Sequence, residues 1–219
     1  MRSEFPSTML LNHRADSIIV LDFETTGLSP NQGDRAIEIG AVKLINGEIV
    51  DRYQRLMNPG FRVSSFIEDY TGISNRMLSE AAECDVVMNE FADFIKGSNL
   101  LAHNASFDQR FLDAELNAIG RSHEGEFACS LLVSRRLSQE ASSHKLSDLV
   151  RYHNIDNDGV FHRALADAEV TTSLWLLQLA MLEQRYGIEN PDFNLMKRIA
   201  KAPKAEVGKL LAKYGCTSQ

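Results

Sequence analysis

The hydrophobic pattern changes period several times along the chain, and each change marks an element. The stretch Ser17–Gly27 opens with Ile18-Ile19-Val20-Leu21, aliphatic and rich in β-branched residues, then meets two carboxylates and a glycine turn. A run of that length and composition is a strand buried on both faces. Leu28–Asp34 carries Pro, Asn, Gln, Gly and Asp and is a loop by composition. Segments 36–45 and 48–57 are strand-like and joined by Asn46-Gly47. Asn-Gly between two such segments is the strongest short hairpin signal, so strands one to three are expected to form an antiparallel meander.

Helical periodicity takes over afterwards. Short helices are expected over 64–70 and 74–82, around a Thr71-Gly72-Ile73 break. An amphipathic helix over 85–96 has Val86, Phe91, Phe94 and Ile95 for its buried side and Gly97 as its stop. A short buried strand over 99–103 precedes a helix over 105–119, with Asn104 as N-cap and Gly120 as terminator. A fifth strand over 126–129 leads into a helix ending at Leu137, and another helix over 145–153 is followed by the turn 156–159. The longest helix runs from about 164 to 185, with Leu165, Ala168, Thr172, Trp175, Leu179 and Leu182 on one side. Strands, then alternating helices and short strands, imply an α/β domain with a mixed sheet.

Length divides this pattern into a leader (1–16), one domain (17–189) and a tail (190–219). The tail has six Lys or Arg against two acids and little to bury. No apolar run reaches the ~18 residues of a membrane span, and no signal peptide is visible. Cys84, Cys129 and Cys216 are odd in number and far apart, giving neither a disulfide framework nor a zinc spacing; a reducing, cytoplasmic setting is expected. A net charge of −7 argues against coating nucleic acid through a broad basic surface. It leaves room for gripping a strand end where bound metal supplies the positive charge.

Three stretches carry chemistry. Asp22 and Glu24, at i and i+2 along the first strand, point to one face while Phe23 points to the other. Two adjacent carboxylates resist desolvation together, and their hard oxygens suit Mg²⁺ or Mn²⁺; the alternative is that both emerge into solvent. In His103-Asn104-Ala105-Ser106-Phe107-Asp108 a buried strand ends and Asp108 falls in the first turn of the next helix, where the dipole alone favours an acid. In His162-Arg163-Ala164-Leu165-Ala166-Asp167 the five-residue spacing does not stack on a helix face. His162 is therefore expected just before the longest helix, with Asp167 one turn inside it.

In order and spacing, Asp22-Phe23-Glu24-Thr25-Thr26-Gly27, His103–Asp108 and His162–Asp167 together resemble the signatures of the DEDDh 3′→5′ exonucleases, over roughly residues 17–184. Tyr70-Thr71-Gly72-Ile73 adds a resemblance to the proofreading (epsilon) subunit or domain of bacterial DNA polymerase III. The resemblance implies a ribonuclease H-like, mixed five-stranded sheet flanked by helices. It implies that Asp22, Glu24, Asp108 and Asp167 hold two divalent metal ions, Mg²⁺ or Mn²⁺, with Asp22 bridging them. Such ions about 3.5–4 Å apart clamp an in-line displacement at phosphorus, one activating water and one stabilising the leaving 3′-oxygen. His162 becomes the general base, since histidine ordinarily titrates near ~6.5. Thr25, Thr26, Gly27 and Leu28 would line the terminal-nucleotide pocket, flanked by His103, Asn104 and Phe107. Phe107 either stacks on a base or pairs with Phe111 at i, i+4. The expected substrate is a single-stranded or frayed DNA 3′ end, with a DNA polymerase subunit as partner and no membrane. A 3′→5′ exoribonuclease and a non-catalytic polymerase-associated subunit are the alternatives.

Four other features are set aside. Asn154–Gly159 opens like a calcium loop, but its twelfth position is Leu165 where a bidentate Glu is needed. His144 and Asp148 read as an exposed helix face. Gln178–Leu182, which has the look of a sliding-clamp peptide, reads as core. Lys197, Arg198, Lys201, Lys204, Lys209 and Lys213 could touch nucleic acid or a polymerase partner, and read first as a solvated tail.

Overall fold

In the computed structural model, which describes residues 13–157 and 162–215, β1 (Ile19–Thr25) is the middle strand of a five-stranded sheet of order β3-β2-β1-β4-β5. β2 (Ala36–Ile45) and β3 (Glu48–Leu56) complete the antiparallel meander, with Asn46 and Gly47 both at positive φ as a tight hairpin turn requires. β4 (Leu100–Ala102) and β5 (Phe127–Cys129) add parallel strands on the other side of β1.

Alternation along β1 sends its two faces to two cores. Ile19, Leu21 and Phe23 pack with Phe91 of α3 (Cys84–Phe94) and Phe111 of α4 (Ser106–Ala118). Ile18 and Val20 pack with Trp175 of α7 (Ala164–Tyr186). Two short helices, α1 (Ser65–Thr71) and α2 (Asn75–Glu80), lie between β3 and α3. Their caps, Ser64 and Ser74, accept from Ile67 N and Met77 N.

The structure departs from the sequence-based expectations in four places. Val86 is 52% exposed, whereas Cys84, Val87, Met88 and Phe91 are buried. The inward stripe of α3 is phased from Cys84, which leaves Val86 on the outer side. Asn104 does not cap α4: it takes a left-handed conformation (φ 74°) in the tight turn out of β4, and its carbonyl accepts from Phe107 N. α7 is buried around most of its circumference rather than along one side, with Val170, Thr171, Leu174, Gln178 and Met181 also inside and Leu165 and Leu179 only half-buried. It is enclosed between the sheet and the helices α5 (Ser130–Leu137), α6 (Leu146–His153) and α9 (Val207–Gly215).

The fourth departure concerns both ends of the domain. α8 (Phe193–Lys201) and α9 bury Phe193, Leu195, Met196, Ile199, Val207 and Leu211 in the same cluster as Ile18 and Trp175. The Trp175 indole donates to Ala15 O at 2.7 Å, Ala15 N donates to Pro191 O, and Phe193 N donates to His13 O. Segments 13–16 and 193–211 therefore contribute apolar side chains to the domain's core. The apolar stripe of α8 is interleaved with Lys197, Arg198 and Lys201, which hid it in composition. Residues 1–12, positions 158–159 of the expected turn and Cys216 lie outside the described residues. Among the described residues no helix is long and apolar enough to cross a membrane.

One close approach fixes how α7 meets the sheet. A Cβ on Gly40 would stand 2.1 Å from Leu165 N and 2.2 Å from Ala164 C, both backbone atoms that cannot swing aside. Gly40→Ala is expected to cost at least roughly 1–3 kcal/mol, the range for overpacking a well-filled core. A lowered urea midpoint checks this; an unchanged midpoint would show that α7 is not seated on β2 as described.

Candidate active site

Gly40 is the register partner of Asp22, and Glu38 that of Glu24. The helix start that presses on Gly40 therefore lies over the two β1 carboxylates. β4 pairs only with Ile19 and Val20, so β1 outruns it, and the later backbone N–H groups on that edge need another acceptor. Asp108, in the first turn of α4 and 2% exposed, provides one: its Oδ1 accepts from Phe23 N at 3.2 Å. That bond fixes its carboxylate beside Asp22.

Asp167 comes from the first turn of α7, and its Oδ2 accepts from His162 N at 2.8 Å. His162 precedes the helix at φ 64°, a left-handed turn that brings its ring back toward the strand end. One ligand atom each from Glu24, His162 and Asp167 lies within 4.8 Å of the others.

The electrostatics follow from this crowding. Burial pushes Glu24 up to about 8, and the charges of Asp167, Glu38 and Asp108 add to it while Arg163 opposes. Burial pushes Asp108 up to about 8 against the pull of the Phe23 N–H. Asp22 is raised well above the usual carboxylate range, first by burial and then by Asp108, Asp167 and Glu24. Asp167 is raised by burial, with the His162 N–H pulling the other way. Four carboxylates that each resist ionisation, offering hard oxygens at one strand end, fit a divalent cation such as Mg²⁺ or Mn²⁺.

A second layer braces the cluster and was not singled out from sequence. Glu38, fully buried, lies directly across from Glu24, where like charges repel. Arg163 donates to it twice, at 2.8 and 3.1 Å, and Ala164 N and Gln54 Nε2 complete its shell. The pair ties β2 to the start of α7, on either side of the carboxylates. Its only trace in sequence is an acid between Ile37 and Ile39 in an apolar strand.

The carboxylates open into a cleft of about 710 Å³. Thr25, Thr26, Gly27 and Leu28 line it, and a Cβ on Gly27 would meet the Asp34 carboxylate at 2.4 Å, so that side chain would have to move aside. Leu28 and Phe66 stand 77% and 69% exposed at its rim, an unusual state for large apolar groups beside polar ones. Ser64, Phe66, Ile67 and Tyr70 form a wall from α1 that sequence reading did not assign to the site; the Tyr70-Thr71-Gly72-Ile73 match was its signal. The Tyr70 ring lies 4.1 Å from that of His162 and stacks with Phe66. Phe107 packs on Phe111 at 5.0 Å, the i, i+4 pairing, and also lines the cleft.

His103 lines the cleft, but Ser130 Oγ and His144 O engage its two ring nitrogens at 2.8 and 2.9 Å. Burial lowers its pKa to about 4, so it offers the cleft a neutral ring. Asn104 is exposed and does not line the cleft, contrary to expectation. His144 is half-buried ahead of α6, its Nε2 bonded to Ser138 O, rather than on an exposed helix face. Gln178 is buried against Ser134 and Ser130, as core.

Residues 19–175 match the family model described as Exonuclease. The chain is 38% identical over 172 residues to a DNA polymerase III PolC-type of Caldanaerobacter subterraneus subsp. tengcongensis, covering 78% of this chain and 12% of the relative. It is 39% identical over 174 residues to the PolC-type protein of Staphylococcus saprophyticus, with the same coverage. The chain thus spans about one-eighth of the length of the curated relatives it matches. Among solved structures, exonuclease X in complex with 5′ overhanging duplex DNA aligns with TM-score 0.64 at 25% identity, covering 84% of this chain and 99% of that one. The nuclease domain of 3′hExo, a DEDDh family member bound to rAMP, aligns with TM-score 0.66 at 21% identity, covering 81% and 96%.

Proposed function

The chain belongs to the exonuclease family and is a 3′→5′ exonuclease of the DEDDh type, and from that premise we propose that it removes nucleoside 5′-monophosphates one at a time from single-stranded or frayed DNA 3′ ends, in proofreading or repair beside a DNA polymerase. The observation that carries this reading is the meeting of Glu24, His162 and Asp167 at the strand end where Asp22 and Asp108 also converge. The likeness to exonuclease X in complex with 5′ overhanging duplex DNA and to the PolC-type relatives supports DNA over RNA.

Asp22, Glu24, Asp108 and Asp167 would hold two divalent cations, which when bound supply Lewis-acid activation of water and charge stabilisation at the phosphate. The chain's own groups do the rest. His162 accepts the proton of the attacking water, with its backbone N–H tied to Asp167 and its ring against Tyr70. As water adds to phosphorus, the bond from phosphorus to the penultimate 3′-oxygen breaks. A 5′-mononucleotide leaves, and the freed 3′-oxygen takes a proton from solvent to become the 3′-hydroxyl of the shortened strand. The apolar rim of Leu28, Phe66 and Tyr70 receives base faces, which all four bases share, so activity is expected to be largely independent of sequence.

Phe66→Ala tests that rim. Base–aromatic stacking contributes about 1–3 kcal/mol, so KM should rise roughly fivefold to a hundredfold with kcat little changed. An unaltered KM would remove Phe66 from the substrate path. The reading as a whole is tested by incubating the protein with matched 3′-ended DNA and RNA oligonucleotides in Mg²⁺ or Mn²⁺. Mononucleotide 5′-phosphates should appear faster from DNA; faster RNA trimming, or no metal-dependent hydrolysis, overturns it.

A further inference from the structure

α8 and α9 meet at a concavity of about 480 Å³ that shares no lining residue with the carboxylate cleft. Arg198, Lys201, Lys209 and Lys213 line it, with Glu206 as the one acid. Lys204 stands exposed beside it, and Arg136 reaches its floor through a hydrogen bond to Ala202 O. Among the described residues, six cations surround one carboxylate here, and on a chain whose total charge is −7 they form a local field opposite to the rest of the molecule. The folded positions of α8 and α9 hold these side chains on a fixed surface, because both helices bury their other faces in the core.

The concavity is also tied to the cleft. α5 begins at Ser130, whose hydroxyl meets the His103 ring in the cleft wall, and reaches the basic surface at Arg136. Six residues of helix rise about 9 Å, so this one short helix carries a contact of the cleft wall at its start and a contact of the basic surface near its end. The intervening loop links the same two places, since His144 bonds Ser138 O and Gln139 donates to Lys204 O.

We propose that the groove between α8 and α9 binds the sugar–phosphate backbone of the nucleic-acid strand whose 3′ end occupies the cleft, several nucleotides upstream of the scissile bond. The inference rests on the exonuclease reading above. The groove would lower KM for long substrates without touching the reacting atoms. It would also add a salt-dependent component to binding, because each phosphate that is neutralised releases counterions.

The test compares wild type with the triple variant Lys201→Gln/Lys204→Gln/Lys209→Gln on single-stranded DNA of four and of twenty-five nucleotides, in 50–200 mM KCl. These lysines are exposed, and an unchanged melting temperature checks that the variant folds. For the long substrate, KM should rise about tenfold at constant kcat, and the slope of log KM against log[salt] should fall by about 2, at ~0.7 per phosphate contact on a single strand. KM for the tetranucleotide should not move. Equal effects on both lengths, or none on either, overturn the groove's role, including the case in which it serves a protein partner. Failure of wild type to hydrolyse the tetranucleotide would overturn the exonuclease reading instead.

Discussion

His162→Ala is expected to lower kcat on a single-stranded oligonucleotide by about 10²–10⁴-fold, the usual contribution of a positioned general base, while KM changes little. The ring lies at the cleft mouth within 4.8 Å of ligand atoms of Glu24 and Asp167, so its loss removes a proton acceptor and leaves the four carboxylates in place. Cation binding, read as a shift in melting temperature, should survive. Asp167→Ala should lose both properties, since that carboxylate belongs to the cluster and also holds His162 in its left-handed turn. Asp167→Asn separates the two roles: the amide oxygen can still accept from His162 N, but the charge is gone. If His162→Ala kept full kcat, the base would have to be sought elsewhere; if it abolished the cation-dependent shift, His162 would be a ligand.

The second large effect is on stability. Below pH 4 the carboxyls are protonated in both folded and unfolded chains. As pH rises, the unfolded chain releases its protons near 4, whereas Glu24 and Asp108 in the fold hold theirs to about 8. A carboxyl whose pKa is raised by folding therefore costs stability progressively between about pH 4 and about 8. In EDTA the melting temperature should decline across that window. Divalent cation replaces the protons, so its benefit should be small at pH 5 and full near pH 8. At a hundred times its Kd a ligand adds about 2.7 kcal/mol, or about 5–10 °C for a domain of this size. Activity should vanish with the cation and return on adding Mg²⁺ or Mn²⁺. A melting temperature indifferent to cation at pH 8 would contradict the proposed ligand set.

The contrast between what was readable in the chain and what was not has a physical basis. The Ile18–Glu24 run and the Asn46-Gly47 turn dictated β1 to β3, because period-two alternation and a two-residue turn with positive φ are local properties. The position of His162 ahead of its helix followed from a spacing that no helix face accommodates. Glu38 and Arg163 were invisible for the opposite reason. They stand 125 positions apart, and nothing local to either announces the other. The wall from α1 was equally hidden, since exposed aromatics such as Phe66 acquire meaning only when a cleft lies beside them.

Residues 190–215 show the limit most plainly. By composition they are a basic tail, yet folding turns Phe193, Met196, Ile199 and Leu211 against Trp175 and leaves the lysines on the outside. The chain by itself determined its strands, its principal helices and which side chains to propose for the chemistry, because periodicity, turn residues and motif spacing are written residue by residue. Only the tertiary structure decided that Asp108 bonds to Phe23, that Arg163 compensates Glu38, and that segments 13–16 and 193–211 close over the core. Those contacts depend on distances between segments far apart in sequence, and burial and Coulomb forces act through space rather than along the backbone.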